Sequence, residues 1–260
     1  MKQLENIIKK LETKHQVDAV FLTGSHGSDK KPYSDIDLVI ILDENKEKIN
    51  SLYTWIDNKF ADIFFFDHAD LNRIENADIL SANGMDAIFL TWLNKASISF
   101  DKSGKLFALK TKINDLNKKV KILENEKRAF CHRINYNFIA NKRYFESNDV
   151  IYHEALELRL LYSVSEIISG YFEFRDIPWR GEKNAIKYFK ENDENFYKAF
   201  VNYTKAANVG GKFKFYTEMF FAVFAGGYEK WLIGDILTQS KNQEYGDNAS
   251  LKDYWTSMAS

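Results

Sequence analysis

Two aspartates separated by one residue, Asp35 and Asp37, stand at the front of the apolar run IDLVIIL, residues 36–42. In a β-strand, residues two positions apart point to the same face, so the two carboxylates are expected to lie side by side. Neighbouring carboxylates repel each other and resist burial, and a divalent cation compensates both effects. Carboxylate oxygens suit Mg²⁺, which keeps the rest of its coordination shell for water and phosphate oxygens. The spacing therefore predicts a magnesium site where this strand begins.

A third carboxylate extends this prediction. Asp62 lies in another strand-like run, FADIFFF, where a charged side chain is out of place unless it is paired or binds a metal. We therefore expect Asp62 to join Asp35 and Asp37 in a site for two Mg²⁺ ions. The alternative third ligand is Asp67, whose position before a helical pattern is more typical of a helix cap.

A glycine-serine pair lies about ten residues before the two aspartates. Gly24 and Ser25 follow the short strand-like run DAVFLT and open the loop GSHGSDKKPYS. Glycine adopts positive φ and lets the backbone approach a phosphate closely, and serine offers a hydroxyl and an N–H to phosphate oxygens. We expect this pair to contact a phosphate beside the metal ions.

The elements that must position these residues divide the chain into two parts. Helical patterns at 2–15, 44–58 and 81–95 alternate with strand-like runs at 18–23, 36–42, 60–66 and 97–101. Beyond residue 105, long helical patterns dominate, at roughly 106–146, 150–174, 181–206 and 212–239. We therefore predict an α+β fold: residues 1–105 form a small mixed sheet with flanking helices, and residues 106–260 form an all-α helical bundle.

Composition limits the function classes. Lys, Arg, Asp and Glu make up 28% of the 260 residues, yet the formal net charge is only −1, which argues against nucleic acid as a charge-attracted partner. The single cysteine excludes an internal disulfide and a multi-cysteine metal site. No stretch resembles a signal peptide or reaches the roughly 18 apolar residues of a membrane span. We expect a cytoplasmic protein without a membrane partner.

The order of these motifs resembles the nucleotidyltransferase superfamily that includes DNA polymerase β, and in particular the two-domain aminoglycoside and lincosamide nucleotidyltransferases. The matched residues are Gly24, Ser25, Asp35, Asp37 and Asp62, with the flanking Ser34 and Leu38. The sequence departs from many members just after the glycine-serine pair, where Asp29 and Lys30 replace the usual Arg or Gly. The resemblance implies that the three aspartates are catalytic and bind two Mg²⁺ ions, while Gly24, Ser25 and Ser34 contact the ATP donor.

The resemblance also implies the reaction. An acceptor hydroxyl attacks the α-phosphate of a nucleoside triphosphate, which we expect to be ATP with transfer of AMP, and pyrophosphate leaves. A carboxylate on a helix of the second domain acts as base in such enzymes, and Glu154 or Glu157 could serve here, with Glu154 preferred. The alternative is that both glutamates are surface charges without a catalytic role. A lysine after a proline-containing turn faces the nucleotide in these enzymes, which makes Lys183 a candidate phosphate contact.

The implied acceptor is a small molecule with a hydroxyl group, such as an aminoglycoside or lincosamide antibiotic, so that the expected role is antibiotic resistance. The acidic residues Glu146, Asp149, Glu154 and Glu157 suit a polycationic aminoglycoside. Dimers are common among the relatives, and a homodimer is compatible with the resemblance.

Two alternatives stay open. A toxin–antitoxin-type nucleotidyltransferase would modify a protein or RNA, but its helical nuclease partner carries four to six residues between Arg and His, and only three separate Arg128 from His132. A non-catalytic nucleotide-binding relative would not need three clustered carboxylates.

Overall fold

The computed structural model describes residues 2–24, 35–232, 235, 238–239, 245–246 and 249–259. Its contacts divide the chain into two compact units, Met1–Lys121 and Ile122–Ser260. This division falls after the boundary at residue 105 that the sequence suggests. The reason is that the two helices following residue 105 bury Leu106, Leu109, Ile113 and Leu116 in the core of the first unit.

The first unit is built on a five-stranded sheet. Its elements are α1 (Lys2–Glu12), β1 (Val17–Thr23), β2 (Ile36–Leu42), β3 (Ser51–Ile56), β4 (Lys59–Asp67), α2 (His68–Asn76), β5 (Leu80–Ser81), α3 (Met85–Asn94), β6 (Ser97–Asp101), α4 (Lys105–Thr111), α5 (Ile113–Lys118) and β7 (Val120–Lys121). The strand order is β3-β4-β2-β1-β6, while β5 and β7 form a separate pair. The β2–β4 pair is parallel and the other neighbours in the large sheet are antiparallel, so the predicted mixed sheet is confirmed.

The two faces of this sheet have separate cores, because side chains alternate along each strand. Leu38 and Ile40 of β2 pack on one face with Leu4 of helix α1. Val39 and Ile41 pack on the opposite face, in a cluster that helices α2 to α5 complete. By the same alternation, Asp37 belongs to the face of Val39, at the end of the sheet where β2 and β4 begin.

Residues 44–58 form a loop and strand β3, so the helix predicted there is wrong. Asp57 and Asn58 have φ values of 50° and 61°, and two successive positive φ angles are the backbone of a tight two-residue hairpin turn. This turn joins β3 to β4 as an antiparallel pair. Helical spacing would have buried Leu52 and Tyr53 together, whereas both side chains are exposed.

The second unit is mostly helical, in agreement with the prediction. Its elements are α6 (Glu124–Phe145), α7 (Val150–Glu173), α8 (Glu182–Asn192), α9 (Glu194–Lys205), α10 (Val209–Phe224), β8 (Thr238–Gln239), β9 (Tyr245–Gly246) and α11 (Ala249–Ala259). Helices α6 to α10 share one core rich in aromatic side chains. The helical pattern predicted at 181–206 is interrupted: Asp193 caps α9 by accepting a hydrogen bond from Phe196 N at 3.0 Å, which separates α9 from α8. In the part of the chain that the structure describes, no helix has the length and apolar character needed to cross a bilayer.

Candidate active site

Strand register brings the three predicted aspartates together. In the parallel β2–β4 pair, Asp37 lies directly opposite Asp62. Asp35 lies two residues before Asp37 and shares its face. One carboxylate oxygen from each of the three residues lies within 4.8 Å of the others. The cluster therefore arises from the two-residue spacing of Asp35 and Asp37 and from one strand pairing.

The carboxylates destabilise one another's charged forms. Burial, followed by the charges of Asp35 and Asp62, raises the pKa of Asp37 to about 6. Burial and the charge of Asp35 also raise the pKa of Asp62. The Oδ1 atom of Asp62 is buried, and among the described residues no hydrogen-bond donor reaches it. A buried carboxylate oxygen without a donor is costly, and a cation bound at this oxygen would offset that cost.

Gly24 reaches this cluster from the neighbouring strand. It follows Thr23, the β1 residue that pairs with Asp37, and its φ is 68°. A Cβ atom at this position would stand 2.0 Å from Oδ2 of Asp37, closer than any real contact. Only glycine permits both the positive φ and this approach, so the backbone of residue 24 lies open beside the carboxylates.

The donor set fits a hard divalent cation. All three side chains offer carboxylate oxygens, one of these oxygens is buried with no donor among the described residues, and burial beside two other carboxylates raises the pKa of Asp37 to about 6. Mg²⁺ is bound in proteins by such oxygens and keeps several positions for water and phosphate. Asp35, Asp37 and Asp62 are accordingly the residues that would hold Mg²⁺.

A second acidic cluster, of Asp18, Asp43 and His68, lies at the other end of strand β2. Its groups already have protein partners. Asp18 accepts hydrogen bonds from the N–H and hydroxyl of Ser103 at 2.9 and 2.7 Å, and lies 3.0 Å from His68 Nε2. The other ring nitrogen of His68 lies 2.9 Å from Lys105 Nζ. Burial acts to raise the pKa of Asp18, but these hydrogen bonds hold it below the usual value, which indicates a structural junction.

Asp67, the alternative third ligand, is a helix cap, as its position before a helical pattern predicted. Its carboxylate accepts a hydrogen bond from Asp70 N at 3.0 Å, and the Asp70 carboxylate accepts one from Asp67 N at 3.0 Å, which completes a capping box at the start of α2. This commitment leaves Asp62 as the third carboxylate of the cluster. Ser25 and Ser34, the predicted phosphate contacts, lie outside the described residues.

The other predicted site residues lie in the second unit. Glu154 is exposed on α7, and among the described residues it has no hydrogen-bond or ion-pair partner. Glu157, one turn further along, forms an ion pair with Lys212 at 2.6 Å. Lys183 is exposed in the first turn of α8. The two glutamates, equivalent in sequence, therefore differ in structure, since only Glu157 is committed to a cation.

Sequence reasoning missed three aromatic residues on the face of Asp62. Tyr53 pairs with Asp62 across the β3–β4 hairpin, and Trp55 pairs with Phe60. The Tyr53 and Phe60 rings stack with centroids 6.2 Å apart, and Trp55 meets Phe60 edge-on at 5.5 Å. The helix expected over 44–58 hid this arrangement. The signal that could have found it is Asp57-Asn58, a two-residue turn between two strand-forming runs.

The raised pKa of Asp37 predicts a pH-dependent stability in the absence of divalent cations. Because its folded-state pKa of about 6 lies above the unfolded value of about 3.9, the folded protein binds the additional proton between these values. The resulting stabilisation is complete below about pH 4 and is lost as the pH rises through about 6. After allowance for solvent screening, we expect a loss on the order of 1–2 kcal/mol.

Urea unfolding in EDTA at about pH 4.5 and pH 7 would measure this effect, with Asp37→Asn as the control. The stability of the asparagine variant should change less between these pH values than that of the wild type. A difference between the two proteins that does not vary with pH would contradict the prediction. Mg²⁺ should restore stability to the wild type at pH 7, because it binds the ionised carboxylates of the folded state.

The comparison with known protein families agrees with this geometry. Residues 4–130 match the family described as nucleotidyltransferase domain, a span that holds Gly24 and all three clustered aspartates. The crystal structure of a nucleotidyltransferase-like protein from Exiguobacterium sibiricum 255-15 is similar with a TM-score of 0.41 and 11% identity, over 87% of this chain and 76% of that one. The comparison with curated proteins gives no match. The chain therefore carries a nucleotidyltransferase domain over residues 4–130, a transferase domain whose carboxylate cluster is compatible with metal-dependent catalysis.

Proposed function

We propose that the protein transfers AMP from ATP to a hydroxyl group of a small molecule, with an aminoglycoside or lincosamide antibiotic as acceptor. The observation that carries the transfer chemistry is the convergence of Asp35, Asp37 and Asp62 beside the open backbone of Gly24. The acceptor class follows from the resemblance to two-domain antibiotic nucleotidyltransferases. We assign catalysis to the first unit and acceptor binding to the second, in a cytoplasmic and homodimeric enzyme that confers antibiotic resistance.

The proposed reaction exchanges one phosphorus–oxygen bond for another. The acceptor oxygen forms a bond to the α-phosphorus, the bond from that phosphorus to the bridging oxygen of the β-phosphate breaks, and pyrophosphate leaves with the bonding electrons. Two Mg²⁺ ions held by the three aspartates would supply positive charge to the attacking and leaving oxygens. Gly24 allows the phosphates to approach the backbone, and Ser25, Ser34 and Lys183 are the further proposed contacts to the donor.

The hydroxyl proton needs a base, and Glu154 is the residue that we propose. Glu157 has its charge balanced by Lys212, whereas Glu154 is exposed and has no partner among the described residues. A carboxylate without a counter-charge is free to accept a proton from the acceptor.

The acidic residues of this region offer a cationic acceptor less charge than their number suggests. Glu146 lies 3.7 Å from Lys142, Asp149 caps α7 through Ile151 N, and Glu157 is paired. Of the four, Glu154 alone is uncommitted among the described residues. The toxin–antitoxin alternative gains no support, since Arg128 is paired with Glu124 and the His132 ring packs edge-on against Trp231.

Pyrophosphate release tests the proposal. The full-length protein, ATP and Mg²⁺ would be incubated with kanamycin or lincomycin, and the products examined by mass spectrometry for an AMP adduct. We expect acceptor-dependent release that is absent in Asp37→Ala. Glu154→Gln should lower kcat by about 10²-fold, whereas Glu157→Gln should stay near the wild type.

Two results would contradict parts of the proposal. Absence of acceptor-dependent release with every aminoglycoside and lincosamide, while ATP still binds in a Mg²⁺-dependent way, would remove the antibiotic acceptor. Equal losses in Glu154→Gln and Glu157→Gln would remove Glu154 as the base.

A further inference from the structure

A contiguous group of exposed aromatic rings extends the carboxylate row to the edge of the sheet. We call Tyr53, Trp55 and Phe60 the aromatic patch. Their side chains are 61%, 67% and 42% exposed, although large aromatic side chains usually bury most of their area. Packing within the hairpin accounts for the ring contacts among the three, but it leaves most of Tyr53 and Trp55 in water. Contiguous exposed apolar surface of this kind marks a binding site more often than isolated exposed residues do.

The patch lies in register with the candidate metal ligands. Thr23, Asp37, Asp62 and Tyr53 are successive cross-strand partners on β1, β2, β4 and β3. Neighbouring strands are about 4.8 Å apart, so the Tyr53 backbone is one strand from Asp62 and two from Asp37. Trp55 and Phe60 form the adjacent pair on the same face, toward the hairpin turn.

The hairpin that carries the patch is held in place at its turn. The Asp57 carboxylate accepts hydrogen bonds from the N–H groups of Gln3 and Leu4, both at 3.1 Å, at the start of helix α1. A side chain on such an anchored strand offers a pre-formed surface rather than one that must be ordered on binding.

Gly24 and the aromatic patch approach the carboxylates from opposite sides. Gly24 follows β1 and would contact Asp37 from that strand, whereas the patch lies beyond Asp62 on β4 and β3. In nucleotidyl transfer, the attacking and leaving oxygens lie on opposite sides of the α-phosphorus. If the donor phosphates lie beside Gly24, the acceptor comes from the side of the patch.

Charge restricts which acceptor fits there. By alternation, Ser51, Tyr53 and Trp55 of β3 and Phe60 and Asp62 of β4 share this face, and within these two strands the face holds no Lys or Arg. Aromatic faces and carboxylates both attract cations and disfavour anions. A phosphate-rich chain such as RNA is therefore a poor occupant, and an uncharged or cationic ring is a good one.

We propose that the aromatic patch binds a ring of the acceptor, stacking an uncharged or cationic hydroxylated ring on Trp55 and Tyr53 with a hydroxyl directed toward Asp62. This proposal rests on the nucleotidyl transfer proposed above and adds to it a surface of the first unit that binds one ring of the acceptor, in addition to the acceptor contacts assigned to the second unit. The patch positions the acceptor and takes no part in bond making.

Fluorine NMR of full-length protein labelled with 5-fluorotryptophan tests the proposal without requiring turnover. The Trp55 signal is assigned by its loss in Trp55→Phe. Kanamycin and lincomycin, both cationic and hydroxylated, serve as probes in the presence of Mg²⁺ and a non-hydrolysable ATP analogue. We expect at least one probe to shift the Trp55 signal, and the ATP analogue alone to leave it unchanged.

Two variants of the same strand provide the matched comparison. Tyr53→Ala should weaken binding of the active probe about tenfold, because it removes one stacking partner. Leu52→Ala, at an exposed neighbour on the opposite face, should keep the affinity within about twofold.

The outcomes separate this proposal from the proposed function. The patch would be overturned as acceptor site, even if the antibiotics are nucleotidylated, by any of three results. These are a Trp55 signal that no probe shifts, a Trp55 signal that shifts with the ATP analogue alone, and a loss of probe affinity in Leu52→Ala equal to that in Tyr53→Ala. Probe binding at Trp55 without transfer to kanamycin or lincomycin would support the patch and overturn only the antibiotic as acceptor.

Discussion

Asp37→Asn is expected to lower nucleotidyl transfer about 10³-fold or more while the protein stays folded. Asp37 lies opposite Asp62 and two residues from Asp35, so its replacement removes one of the three carboxylates that would hold Mg²⁺. Metal ions supply several kcal/mol of transition-state stabilisation, and each 1.36 kcal/mol changes the rate about tenfold. The fold should tolerate a neutral side chain here, because burial and two neighbouring charges already disfavour the ionised form.

Pyrophosphate release measures the rate, and the Mg²⁺-dependent rise in melting temperature reports the metal independently of any acceptor. Both should be lost in Asp37→Asn. Asp43→Asn is the matched control, because Asp43 follows the last residue of the same strand and belongs to the second acidic cluster. Near-wild-type transfer in Asp37→Asn, or an equal loss in Asp43→Asn, would be incompatible with the site assigned here.

Gly24→Ala is expected to lower transfer about 10²-fold or more and to destabilise the protein. An alanine side chain at φ 68° costs about 1–2 kcal/mol. Its Cβ would also stand 2.0 Å from Asp37 Oδ2, so the carboxylate must move by about an ångström or more to reach a normal contact distance. Displacements of this size in a catalytic group cost about a hundredfold in rate.

Gly104→Ala separates these two effects. Gly104 also has a positive φ, 75°, but a Cβ there would meet no atom within 4 Å. The two alanine variants should share the backbone cost in urea unfolding, while only Gly24→Ala should lose activity and Mg²⁺-dependent stabilisation. Full activity in Gly24→Ala would show that the Asp37 carboxylate need not occupy the position seen here.

The clustering of the three aspartates could be predicted from the sequence because the local pattern around each aspartate is unusual. The spacing of Asp35 and Asp37 places them on one strand face, and Asp62 is a charge within an apolar run. The register that sets Asp62 opposite Asp37 is a long-range pairing, which no local pattern specifies. It could be anticipated only because a buried charge needs a partner.

Other features depend on contacts that local patterns do not contain. A helix would place Leu52 and Tyr53 on one face, which is why the pattern suggests a helix. The turn at Asp57-Asn58 instead allows residues 51–56 to pair with β4 as a strand. The sequence patterns of helices α4 and α5 do not indicate which of the two cores these helices join. The structure places them in the core of the first unit, so the division between the units falls after the predicted boundary. Glu154 and Glu157 could not be separated because the partner of Glu157, Lys212, is 55 residues away.

Strand β3 lies at the edge of the described sheet, with β4 as its sheet neighbour. An edge strand leaves alternate backbone N–H and C=O groups without ladder partners, and exposed apolar side chains on such a strand favour addition of another extended chain. Leu52, Tyr53 and Trp55 give β3 this character, and no charged residue interrupts Ser51–Ile56. The edge that presents the aromatic patch is thus also a place in the described part of the first unit that favours β-strand addition, and with it self-association at high protein concentration.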